Sequence, residues 1–82
     1  MAERHSGTIV RLYADEGGTI LVDMLKAGHG TTLFTFELPR SNPGGTVDIQ
    51  LQFLQTAMVH GMHTVLTETN RRITHVEINR FA

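Results

Sequence analysis

Cysteine and tryptophan are absent from this 82-residue chain, and proline occurs only twice. Without cysteine there can be no disulfide, no thiolate nucleophile and no cysteine-based metal centre. That is compatible with a reducing cytosol, and we expect a cytoplasmic protein. No apolar run approaches the roughly 18–20 residues that a membrane helix needs, so no membrane association is expected. The polar opening Met1-Ala2-Glu3-Arg4-His5 leads into no signal-peptide core, and residues 1–5 are expected to fray. An excess of one charge is missing too. With 7 basic and 8 acidic residues the net charge is −1. That argues against binding dominated by phosphate backbones and leaves room only for a local basic patch.

What is present describes a folded unit. The apolar share is 40%, ordinary for a globular domain. The length implies one small α+β domain over residues 1–82, able to bury only about 60–65% of its unfolded surface. Residues 47–60 carry the helical signal. Val47, Leu51, Leu54 and Met58 recur at helical spacing, with Phe53 and Ala57 widening the stripe. Asp48, Gln52, Gln55, Thr56 and His60 form the polar face. Thr46 is the expected N-cap and Asn42-Pro43-Gly44-Gly45 the preceding turn. Gly61 suits the left-handed position after the last turn.

Strands flank this helix, and their register can be argued from face chemistry. A three-residue loop, Glu16 to Gly18, pairs Val10 with Met24, Leu12 with Val22 and Ala14 with Ile20, giving one wholly apolar face. The other face then pairs Arg11 with Asp23, Tyr13 with Leu21 and Ile9 with Leu25. A one-residue slip would send core side chains to solvent, which decides the loop length. Gly17 or Gly18 supplies the left-handed residue that the loop needs. With Gly28-His29-Gly30 as the next loop, Met24 meets Phe34, Val22 meets Phe36 and Ile20 meets Leu38. A last hairpin turns at Asn70-Arg71 and pairs Val65 with Val76 and His63 with Ile78.

The expected fold class is α+β, with element order β-β-β-α-β-β. It is a single, mainly antiparallel sheet with one helix (about 47–60) packed across one face. The preferred strand order is third, second, first, fifth, fourth. The alternative sets the fourth strand parallel to the third through a right-handed crossover.

Chemical motifs are sparse. His60-Gly61-Met62-His63 has two potential metal ligands, but a zinc site wants three or four that converge. Gly28-His29-Gly30 and Gly44-Gly45-Thr46 match neither a P-loop nor a dinucleotide fingerprint, and Asp48 would repel a phosphate. No nucleophile elbow or paired-acid spacing marks an enzyme. We therefore expect no catalytic residue, no metal and no cofactor. Arg71-Arg72 and Arg80, and Arg11 beside Tyr13, are the residues a nucleic-acid-binding small barrel would use. A cross-strand Arg11–Asp23 pair accounts for part of that set more simply.

One feature resists a bland reading. Ile9, Leu25 and Leu33 align across three strands on the outer face, with Tyr13 and Leu21 beside them. A solvated face should be mainly polar, and a contiguous apolar patch marks an interface. Curling of the sheet into a barrel would bury these residues instead. The expectation is a small non-catalytic interaction or accessory module that self-associates through this face as a homo-oligomer, with a further protein partner also allowed. The alternatives are the nucleic-acid-binding barrel and a small-molecule binder or enzyme with its site near the helix N-terminus.

Overall fold

A computed structural model describes residues 2–40 and 47–80. Within them the elements follow the expected order: β1 (Glu3–Ala14), β2 (Ile20–Lys26), β3 (Leu33–Leu38), α1 (Val47–His60), β4 (His63–Thr69) and β5 (Arg72–Asn79). The expected N-cap Thr46 and the turn Asn42-Pro43-Gly44-Gly45 lie outside the described residues.

The first two turns set the register that the face chemistry predicts. Leu12 pairs with Val22, Tyr13 with Leu21 and Ala14 with Ile20. The loop closes with Asp15 N–H donating to the Thr19 carbonyl at 3.0 Å, and Gly18 takes φ +81°. The Asp15 carboxylate accepts from Gly17 N at 2.9 Å and from Thr19 N at 3.0 Å, so this acidic tip is a turn cap. Across the second turn Val22 faces Phe36, Met24 faces Phe34 and Ile20 faces Leu38, as expected.

Two β-bulges break the expected pattern. In β1 the register shifts between Ile9 and Arg11. Ile9 therefore faces Met24 and is 2% exposed, while Val10 is pushed out and is 40% exposed. The expected Val10–Met24 and Ile9–Leu25 pairs are both overturned. In β5 the extra residue is Thr74, because Thr67 faces His75 while Glu68 faces Ile73. Leu66 then meets Val76 and Thr64 meets Ile78, in place of the expected Val65–Val76 and His63–Ile78 pairs. The two-residue turn itself is as predicted, with Asn70 at φ 54° and Arg71 at φ 68°, as a type I′ turn demands. A bulge adds one residue to one strand and sharpens the local twist, which period-2 reasoning cannot register.

That extra twist closes the sheet into a barrel in the order β1-β2-β3-β5-β4. The first half of β1 pairs with β4, from Glu3↔Glu68 to Thr8↔His63, and its second half pairs with β2. Residues 3–5 are thus strand, where fraying was expected. Gly7 stands at the switch between partners. A Cβ there would lie 2.0 Å from the Leu25 carbonyl oxygen, so only glycine permits this approach. The last seam is parallel, β3 to β5, through Glu37↔Arg72 and a 2.8 Å bond from Glu37 N–H to the Arg71 carbonyl. Both expected strand orders fail: β1 lies beside β4 rather than β5, and it is β5, not β4, that runs parallel to β3. Closure removes the two unpaired edges that an open five-stranded sheet would expose.

The core is Ile9, Val22, Met24, Phe36, Leu38, Leu54, Ala57, Leu66 and Ile73. Helix α1 buries Gln50, Leu54 and Ala57 and packs Val47 and Leu51 against the core, so four of the six expected stripe residues face inward. Phe53 and Met58, assigned to the core from the sequence, are 40% and 36% exposed. Beside this stripe, Gln50 donates from Nε2 to the carbonyl of the bulged Thr74 at 3.0 Å, tying the helix to β5. Gly61 takes φ 62°, and Met62 N–H caps the Ala57 carbonyl at 3.0 Å, a Schellman closure. No helix among the described residues is long and apolar enough to cross a membrane. The fold is thus a mixed five-stranded barrel closed in the order 1-2-3-5-4, with one helix between the third and fourth strands.

Candidate binding face

The outer surface of β1–β3 is built in rows by the ladder. Tyr13, Leu21 and Glu37 form one row, Arg11, Asp23 and Thr35 the next, and Leu25 with Leu33 the third. Asp23 sits at the centre and is 3% exposed. Its carboxylate accepts from Thr35 Oγ1 at 2.7 Å, and Arg11 Nη1 lies 3.9 Å away. The expected Arg11–Asp23 pair is therefore present across the strands. The Arg11 guanidinium also lies 4.2 Å from the centroid of the Tyr13 ring, a cation–π stack on an outward-facing platform.

Barrel closure brings the β4–β5 turn to the edge of this face. Arg71 Nη1 donates to the Thr35 carbonyl at 3.4 Å, and its guanidinium carbon lies 5.6 Å from the Phe36 ring centroid. Arg72 Nη2 stands 3.9 Å from a Glu37 carboxylate oxygen, linking β5 to β3. At the β1–β2 turn, Arg40 lies so close that a Cβ on Gly18 would be 2.7 Å from its guanidinium. Four arginines from distant parts of the chain thus border one face. Its two strand carboxylates, Asp23 and Glu37, each have a cation within 4.0 Å.

Glu68 holds the β4–β5 turn in place. It is buried; its Oε1 lies 3.2 Å from His5 Nε2, and its Oε2 accepts from Arg71 N–H at 2.6 Å. The histidine hydrogen bond, and then the Arg71 amide, hold its carboxyl below the usual carboxylate range against the opposing effect of burial. His5 packs at 4.9 Å from the Phe36 ring. This carboxylate therefore ties β1 to the turn that presents Arg71.

Glu3, His5 and Glu68 are the described residues with metal-ligand spacing, their donor atoms lying within 4.8 Å of one another. They form an internal network: the Arg71 amide donates to one Glu68 oxygen, while His5 Nε2 lies 3.2 Å from the other and 3.8 Å from a Glu3 carboxylate oxygen. His60 and His63 line one cleft with Thr8, Thr56, Met62 and Arg80, but no third metal-ligand side chain joins them there among the described residues. His29 packs edge-on to Phe34 at 5.3 Å, and Lys26 lies 4.6 Å over the same ring. Gly44-Gly45-Thr46 lies outside the described residues.

Of the five apolar residues expected on the outer face, Ile9 belongs to the core. Tyr13, Leu21 and Leu25 are half-buried, and Leu33 is 51% exposed. Val10, turned out by the bulge, is the further apolar residue exposed on β1. Sequence reasoning missed the roles of Gln50, Glu68 and Arg40, since each acts on a residue distant in the chain or on a turn whose position needs the closed barrel. Comparison with protein families, curated proteins and solved structures finds no match for the chain.

Proposed function

We propose that the protein is a small non-catalytic binding module whose outer β1–β3 face takes single-stranded nucleic acid. One observation carries this reading: the Arg11–Tyr13 stack sits between two turns that bring Arg40, Arg71 and Arg72 to the same face. Single strands are held by a basic track for the backbone and by flat side chains on which bases stack. OB-type barrels use the β2–β3 face and the β1–β2 and β4–β5 loops for oligomeric ligands, which supports the reading by analogy only. The net charge of −1 sets a ceiling, so weak, salt-sensitive binding is expected.

The test is fluorescence anisotropy of labelled oligothymidine and oligouridine about a dozen nucleotides long. Three phosphate contacts would give a log–log salt slope near −2. Tyr13→Ala should weaken binding by about 1–3 kcal/mol, the usual size of one base stack. An anisotropy that stays flat to about 100 μM protein at low salt, the weak end of the non-specific range, would sink the proposal.

Self-association through the same face remains the second reading, favoured by the exposure of Val10 and Leu33 beside Leu25. The loss of Ile9 to the core leaves it smaller than expected, against the roughly 20–30 residues a side of a stable interface. Sedimentation of wild type and Leu25→Glu at tens of micromolar decides it. A wild type sedimenting as a 9.1 kDa monomer removes this reading.

A further inference from the structure

On another part of the barrel, where the end of α1 meets β1, β4 and the end of β5, a cleft of about 810 Å³ is lined by Thr8, Thr56, His60, Met62, His63 and Arg80. That volume lies in the range of small-molecule sites, about 300–1,000 Å³. Its chemistry is one-sided. No carboxylate is among its described lining residues, whereas arginine, two imidazoles and two hydroxyls are. Arg11 and Arg72 each lie within 4.0 Å of a carboxylate. The Arg80, His60 and His63 side chains form no ion pair or hydrogen bond among the described residues. Each imidazole carries at least one N–H in either protonation state, each threonine an O–H, and arginine a planar fork of donors. Met62 adds an apolar wall.

We propose that this cleft binds a phosphate-bearing small molecule, with Arg80 as the bidentate anchor, His60, His63 and the two threonine hydroxyls as further donors, and Met62 against the apolar part of the ligand. A phosphate offers three acceptor oxygens, matching a donor set too rich for a single carboxylate. The end of α1 carries partial negative charge, so the helix dipole does not assist and the side chains must supply the attraction. The residues that carry the outer-face reading, Arg11, Tyr13, Arg40, Arg71 and Arg72, do not line this cleft, and only Thr8, which pairs with Leu25, adjoins that face, so substitutions of the arginines test the two sites separately.

The experiment is an NMR titration of the full chain, ¹⁵N- and ¹³C-labelled, with inorganic phosphate and with adenosine monophosphate, against chloride at matched ionic strength. The expected result is saturable movement of the Arg80 Nε–H and of the His60 and His63 ring signals, with Arg11 and Arg72 unmoved. Arg80→Gln should weaken binding about tenfold or more, the loss of a charge-assisted bond pair. Arg80 is exposed, so its amide spectrum should otherwise match wild type; His60→Gln, also exposed, provides a second variant. Shifts that rise linearly without saturation, that spread equally over every arginine, or that survive both substitutions overturn the proposal.

Discussion

Replacing Gly7 by alanine tests the closure of the barrel at one atom. Alanine normally suits a strand better than glycine by roughly 0.5–1 kcal/mol, so an open or loosely packed β1 would be stabilised by the change. In the closed barrel the new Cβ would lie 2.0 Å from Leu25 O, 2.8 Å from Leu25 C and 2.9 Å from Lys26 Cα. All three are backbone atoms, so no side-chain rotation relieves the clash. β1 must retreat by about 1 Å or more to reach ordinary contact, and the Ala27 N–H to Ser6 carbonyl bond at 3.0 Å lies beside the point of retreat. Overpacking costs about 1–3 kcal/mol, and each buried backbone group left unpaired adds about 1–3. A loss near 3 kcal/mol or more is expected, from a total of about 4–12 kcal/mol for a chain of this length. Urea unfolding at a slope near 1 kcal/mol/M would show the midpoint falling by about 3 M. Gly61→Ala is the control. Gly61 has φ +62° and nothing within 4 Å of the added Cβ, so only backbone strain of about 1–2 kcal/mol applies. If Gly7→Ala is as stable as Gly61→Ala, or more stable, β1 does not pass this close to β2 and the closure is wrong.

Leu54→Ala, at a fully buried position of α1, should cost about 2–5 kcal/mol in denaturant unfolding, while Phe53→Ser on the exposed side should cost under about 1. Near-equal losses would put Phe53 back on the buried side of α1. Glu68→Gln should cost about 1.5–3 kcal/mol at neutral pH by weakening the charged bonds to Arg71 N–H and His5. The pH dependence has a definite sign. Because the folded carboxyl is held below its unfolded value, its contribution is present above about pH 4.3 and is lost as pH falls through the folded pKa. Urea midpoints from pH 3 to 7 should therefore converge for the two proteins at the acid end, and a constant gap would place the role of Glu68 in shape rather than charge.

The boundary between sequence and tertiary structure runs through single residues. Local rules placed α1 at Val47–His60, the glycine cap at Gly61, the Asn70-Arg71 turn, and the β2–β3 register from Leu25↔Leu33 to Ile20↔Leu38. Each depends on neighbours within one turn or one hairpin, where side-chain alternation and turn chemistry leave few choices. Ile9 and Val10 mark where that reasoning stops. Both are β-branched and apolar, so the residues themselves do not say which one the strand turns inward. The bulge decides it, and the bulge answers the need of β1 to leave β2 and join β4. Gln50 and Glu68 tell the same story for polar groups. Their partners, the Thr74 carbonyl, His5 and the Arg71 amide, are set by the two bulges and the closed ladder. The arrival of Arg71 and Arg72 beside Arg11 and Arg40 likewise needs closure, because the parallel seam between β3 and β5 forms only when all five strands share one barrel.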